Sequence, residues 1–208
     1  MQQGTSGLTE ALQRSGEWMA RCSDLVDGAM FDSTLRARVA VSLHHLCLEH
    51  HRAAHVLIDN DVRGSAFALY RPQFEAYTRA LWFHVCASDS ALEGFVGGGE
   101  PPPMGELASD LAKTLGSQGE VVRSVKEQSW RSMCAFTHGG AIQVKARAMK
   151  DEIRQSFTDE HTSQLIDAMA SLSYLGALGI ATVAGQEVLA NNLYAGHREI
   201  YSVVYDRI

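Results

Sequence analysis

The residue types best suited to proton transfer and anion binding gather in three stretches of the chain. The first is SWRSMCAFTHGG, residues 129–140, where six residues separate Arg131 from His138. A guanidinium grips a phosphate as a fork, and an imidazole takes or gives a proton near neutral pH. The same residues also have a purely structural use. His138 can close a helix C-terminus, where the dipole favours a cation, with Gly139 as the left-handed cap. Arg131 would then be an ion-pair partner, for instance of Glu75.

The second stretch is HHLCLEHHRAAH, residues 44–55, which holds five of the nine histidines. On a helix His44, His51 and His55 share a face, and imidazole is a common ligand of transition metals. Yet HExxH is missing, and so are the paired Glu-x-x-His motifs of a carboxylate-bridged centre. These histidines are therefore expected to be structural, with no metal and no cofactor. His45, Glu49 and Arg52 fall on a solvated face. His50 falls on the expected core seam and needs a hydrogen-bond partner there.

The third stretch is GSAFALYRPQFEAYTRALWFHVC, residues 64–86. Phe67, Tyr70, Phe74, Tyr77, Leu81 and Val85 recur every three or four residues, an aromatic helical face that predicts a central helix. Arg71, Glu75, Thr78 and Trp82 line up beside it, and Arg71 and Glu75 are close enough to pair. Charged groups so near a core are seldom left alone, so Arg71, Glu75 and His50 are expected in a polar network, with Glu75 reaching Arg131 or His138.

Charge is unevenly spread. Between Arg123 and Arg154 there are seven basic and three acidic residues, a net of +4 in a chain of net −6, so the remainder carries −10. Overall acidity argues against nucleic-acid binding by the whole surface. A local basic patch with Lys145 and Arg147 could still receive an anion or an RNA backbone, or serve as a solvated face or subunit contact.

Helices must position these groups. The spacing predicts helices over 8–29, from about 33 to 59, from Ser65 through Val85, from Ser88 to Phe95, over 104–115 and 120–136, and from Thr158 to about 190. Thr5 or Ser6 is expected to cap the first, Asp32 or Ser33 the second, and Thr158 or Asp159 the last. Expected buried seams are Leu8, Leu12, Met19, Cys22, Leu25, Val26 and Met30 in the first helix, and Leu35, Val39, Leu46, His50, Ala53 and Leu57 in the second. Pro72 either kinks the central helix or starts it. GGGEPPP, residues 97–103, is a surface loop. Residues 141–157 are weakly patterned, with a helix possible over 142–149. No strand hairpin is evident, and Asn191-Asn192 or Gly196 is expected to break the last long helix. The pattern is an all-α, up-and-down helical bundle forming one domain over residues 1–208.

Residues 168–186 carry no charge, about a bilayer's length, but include three glycines and lack basic flanks. They are expected to form a buried or interface helix rather than a membrane span. Gly176 and Gly179 would let a helix of the same or a second chain approach closely, hence an expected homodimer. Four scattered cysteines without CxxC, and no secretory leader, suggest reduced thiols in the cytoplasm.

His44-His45, Glu49-His50-His51, the segment 64–83, Ser129-Trp130 and Thr137-His138-Gly139-Gly140 resemble an uncharacterised family of bacterial helical proteins. The resemblance covers roughly residues 40–145 and is most specific in Arg71-Pro72-x-Phe74-Glu75 and Thr137-His138-Gly139. That family is distantly similar to the HEPN superfamily. The resemblance implies a dimeric helical bundle, often a metal-independent ribonuclease of toxin or phage-defence systems using an Arg-x4–6-His motif. Arg131 and His138 match that spacing and would be the catalytic pair, with RNA and a cognate partner protein as candidate partners. The alternatives are a non-catalytic helical dimer (antitoxin, adaptor or structural) and a histidine-rich bundle that binds a metal or small molecule.

Overall fold

Helical periodicity governs nearly the whole chain, and three of the helices start where a side chain takes a free N–H group. The computed structural model describes residues 7–149 and 151–205. Its elements are α1 (Gly7–Val26), α2 (Leu35–Asp59), α3 (Arg63–Val85), α4 (Asp89–Val96), α5 (Met104–Leu115), α6 (Ser117–Thr137), α7 (Ala141–Lys145), β1 (Ala148–Met149), β2 (Glu152–Ile153), α8 (Asp159–Val183), α9 (Glu187–Ile200) and α10 (Ser202–Tyr205). This is an all-α helical bundle. Thr34, Ser88 and Thr158 cap α2, α4 and α8 by accepting from the third residue on, each at 3.2 Å. The expected Asp32 or Ser33 cap is thus Thr34. Ser65 lies inside the first turn of α3, whose N-cap is Val62. Thr5, Ser6 and Lys150 lie outside the described residues.

α2 and α3 form an antiparallel pair against which α8 packs; α1 and α9 cover α8 on one side, and α5 and α6 close over α3 on the other. Three apolar clusters fill the spaces. Phe74, Phe83, Leu107, Leu111 and Met133 join α3, α5 and α6. Leu8, Ile58, Ala66 and Ile166 join α1, α2, α3 and α8. Trp18, Leu193 and Tyr201 join α1 and the C-terminal helices. Gln73 ties three helices together, its buried amide donating to the carbonyls of Cys47 at 3.1 Å and Met169 at 2.9 Å.

The seams differ from expectation in two helices. α2 buries Ala37, Ala40, His44, Cys47, His51, Ala54 and Ile58, while Leu46 is exposed and His50 half-buried. α1 buries Ala11, Ser15 and Trp18 beside Leu8 and Cys22, and Met30 is 80% exposed. The cause is visible in α8. A Cβ on Gly176 would meet Cys47, Leu48 and the His44 carbonyl, and one on Gly179 would overlap the His44 ring. The glycine seam therefore lies on α2 of the same chain, and so close an approach brings the His44 ring and the Cys47 and Leu48 side chains against the α8 backbone. By length and composition α8 is the one helix among the described residues that could cross a bilayer. Here twelve of its residues are buried within the fold.

Other boundaries move for local reasons. α3 runs unbroken through Pro72, which excludes a helix starting there. α6 begins directly after Gly116. Residues 148–153 form a two-stranded antiparallel ladder pairing Ala148 with Ile153, where no hairpin was expected. α8 ends at Ala184-Gly185, and Gly185 adopts φ +63°, which a β-carbon disfavours. Asn191, Asn192 and Gly196 all lie within α9. All four cysteines are free thiols.

Buried histidines are a defining feature of this interior. Ser15 Oγ stands 2.9 Å from both His51 Nε2 and His55 Nδ1. His197 stacks between Tyr174 and Tyr201, with Nδ1 2.9 Å from the Tyr205 hydroxyl. Burial pushes His44 and His51 down to about 3, and His197 to about 4. In the unfolded chain these rings titrate near 6.5, about where histidine does in water. Below that pH the unfolded state binds protons that the folded state refuses. Stability is therefore complete above about pH 6.5 and falls as pH drops toward 3–4, by up to about 1.4 kcal/mol per pH unit for each histidine. Urea titrations at pH 7 and 5 should show this slope, and His51→Gln should flatten it; an unchanged slope in the variant would mean that other groups set it. Separately, Gly179→Ala should cost about 1–3 kcal/mol by overpacking against His44. Gly7→Ala, with open space around it, should change stability by less than about 0.5 kcal/mol.

Candidate functional site at the meeting of α3 and α6

Pro72 determines how these helices meet. Lacking an N–H, it leaves the carbonyl of Ala68, four residues back, without its helical donor. The Thr137 hydroxyl, in the last turn of α6, fills the gap, donating to Ala68 O at 3.2 Å and sharing with Met133 O at 3.0 Å. The next residues on each side then touch: Arg71 Nη1 donates to His138 Nε2. Because a guanidinium only donates, Nε2 is the acceptor, and the neutral ring carries its proton on Nδ1. His138 is the C-cap residue of α6, followed by Gly139 at φ +65°, the left-handed cap expected there.

Arg71 is held from three sides. Its Nε donates to Glu75 Oε1 at 2.7 Å. Its guanidinium carbon stands 4.7 Å from the centroid of the Trp130 ring, a cation–π contact. Glu75 also pairs with Arg79 at 3.0 Å, and its side chain is only 16% exposed. The polar row of α3 is thus Arg71–Glu75–Arg79, with two cations sharing one carboxylate. Thr78 and Trp82, expected in that row, are buried instead, with Trp82 Nε1 donating to Asp110 at 3.3 Å.

The structure brings together some of the expected residues and separates others. Arg71, Glu75 and His138 form one chain of contacts, with Glu75 reaching His138 through Arg71. Arg131 is exposed and makes no hydrogen bond or ion pair among the described residues. It stands seven residues, about 10 Å along the axis, before His138. Helical side chains lean toward the N-terminus, so Arg131 tilts away from the histidine. His50 is half-buried, with its pKa lowered by burial, and forms no bond to this network. Lys145 is exposed. Arg147 instead clamps the start of α3: its Nη1 donates to Gln143 Oε1 and to the Gln143 carbonyl, and its side chain occupies the space beside Gly64. Among the described residues no three His, Cys, Asp or Glu side chains converge as a metal-ligand set; His51 and His55 turn to Ser15, and His44 faces α8. Sequence reasoning missed Arg79, Trp130 and Thr137. The proline held the one usable signal, since it announces a carbonyl that some donor must satisfy.

Residues 44–206 match a family of unknown function (DUF6988), well over half of the chain. The chain belongs to that family. No curated protein and no solved structure matches it. The matched span includes every residue of the α3–α6 network and leaves out α1 and the start of α2.

The threonine–proline contact is testable by a double-mutant cycle. Thr137→Val should cost about 0.5–1.5 kcal/mol, because it removes the hydrogen bond to the Ala68 carbonyl. In a Pro72→Ala background, where residue 72 regains an N–H for Ala68, the same substitution should cost at least about 0.5 kcal/mol less. Equal costs in both backgrounds would show that Thr137 acts in some other way.

Proposed function

We propose that this protein is a HEPN-like, metal-independent RNA-binding and RNA-cleaving protein of a toxin or phage-defence type, working as a cytoplasmic homodimer. The observation that carries this is the exposed His138, held by an arginine that a second helix supplies and that Glu75 and Trp130 orient. The α3 row is net positive, Arg131 adds a cation on the adjoining helix that is unpaired among the described residues, and the helical architecture agrees with the resemblance. A phosphate entering here would compete for the Arg71 fork and release His138 Nε2. That nitrogen would then take the proton of a ribose 2′-hydroxyl. The 2′-oxygen forms a bond to phosphorus, the bond from phosphorus to the 5′-oxygen breaks, and the 5′-oxygen is protonated by a second His138 or by water. The products are a 2′,3′-cyclic phosphate and a 5′-hydroxyl. Arg71 stabilises the pentavalent phosphorus, joined by Arg131 where two chains meet.

A second function has its own support. Glu75 already balances Arg71, and a polar network so well satisfied could serve only to fix α6 on α3 in a non-catalytic antitoxin, adaptor or structural dimer. One experiment separates the two. End-labelled RNA is incubated with the protein and excess EDTA, and products are resolved by gel and mass spectrometry. The ribonuclease proposal expects cyclic-phosphate ends that vanish in His138→Ala, with the variant's melting temperature within about 2 °C of wild type. RNA neither bound nor cut by wild type, with His138→Ala melting well below it, would leave the structural role standing.

A further inference from the structure

A second face of α3 borders a cavity of about 650 Å³ between α3, α6 and α8. That size falls within the range of small-molecule sites, about 300–1,000 Å³. Tyr70, Phe74, Tyr77, Val122, Leu172 and Leu175 supply much of its wall, and none of the lining residues is Asp, Glu, Lys or Arg. Ser171 and Thr182 also line it, but each spends its hydroxyl on a carbonyl of its own helix, at 2.9 and 2.8 Å. Gln118 and two histidines, His44 and His84, also line it. The Nδ1 atoms of both are buried and have no hydrogen-bond partner. No bond to either Nε2 exists among the described residues. His44 is 1% exposed and is fixed between Gly179, which makes room for its ring, and Tyr77, whose ring centroid lies 6.0 Å away. A buried imidazole without a partner is costly, and here it sits on the wall of an apolar cavity.

We propose that this cavity binds an uncharged, mainly apolar small molecule carrying one hydroxyl group, which hydrogen-bonds to His44. The missing ionic residues exclude a charged ligand, since no counter-ion would meet it. The aromatic walls favour a ring. A neutral imidazole offers one donor and one acceptor, and a hydroxyl can meet either. This site is distinct from the Arg71–His138 network and does not depend on it.

The probe is 1-naphthol, with naphthalene as its analogue lacking the hydroxyl, titrated into full-length protein at pH 7.5 and followed by fluorescence. Wild type should bind 1-naphthol at one per chain and at least tenfold more tightly than naphthalene. His44→Phe, which keeps the ring and removes both nitrogens, should weaken 1-naphthol at least tenfold and leave naphthalene unchanged. Leu175→Trp, at the partly exposed rim, should fill the cavity and abolish both, and it tests the site even where His44→Phe fails to fold. Wild type that binds neither probe up to its solubility limit would overturn the proposal. So would a naphthol preference that survives in His44→Phe, or a dimer that Leu175→Trp dissociates, which would make the cavity a subunit interface.

Discussion

The missing N–H of Pro72 is the constraint from which the candidate site follows. A proline in the middle of a helix strands a carbonyl, which then takes its hydrogen bond from a neighbouring side chain or from water. Thr137 provides the donor from α6. The contact fixes both the distance and the register of α6 on α3, so the residues flanking it, Arg71 and His138, meet. Trp130 stands seven residues before Thr137, two helical turns, and therefore faces α3 as well; there it covers the Arg71 guanidinium. Arg71-Pro72 and Thr137-His138 act as one unit although 64 residues lie between Pro72 and Thr137 in the chain.

Glu75 then sets the orientation. Bonds of this i,i+4 kind contribute little to stability, about 0.3–0.5 kcal/mol each where they have been measured on exposed helix faces. Their effect is geometric. A guanidinium is a rigid plane, so a bond at Nε and a ring against its face decide where Nη1 points. It points at His138. Sharing one carboxylate between two arginines also leaves the row with a positive charge, which an all-neutral structural clasp would not need.

Much of the fold was legible from periodicity and capping residues, because most helices carry apolar rows and Thr34, Ser88 and Thr158 cap three of them. The register of α2 was not. Leu46 and Val56 look like core residues, yet they face outward while alanines, cysteine and two histidines face in. Hydrophobicity ranks side chains singly, whereas this interface selects for flatness and small size because α8 presents glycines to it. The glycine seam was visible in the sequence, and of the two partners open to it, a helix of the same chain or of a second one, α2 of the same chain packs there with the His44 ring. Likewise Arg131 and His138 are neighbours in a motif, and spacing along one helix says nothing of the arginine that another helix supplies. Arg71 was legible as half of a pair with Glu75; its contact with His138 depended on Thr137 finding Ala68.

α6 is pinned to the bundle at both ends, and this bears on why a cavity persists beside it. At its C-terminal end Thr137 and His138 hold it to α3. At its N-terminal end Gly119 lies so close to the Leu111 carbonyl of α5 that a Cβ would overlap it, which locks α6 to α5 at backbone contact. Between these anchors Val121, Val122 and Val125 look across at α8 without touching distance being forced. A helix fixed at two points cannot slide inward to close the space, and short valine side chains cannot fill it. The rigid attachment that positions His138 is therefore also what keeps the apolar cavity open on the neighbouring face of α3.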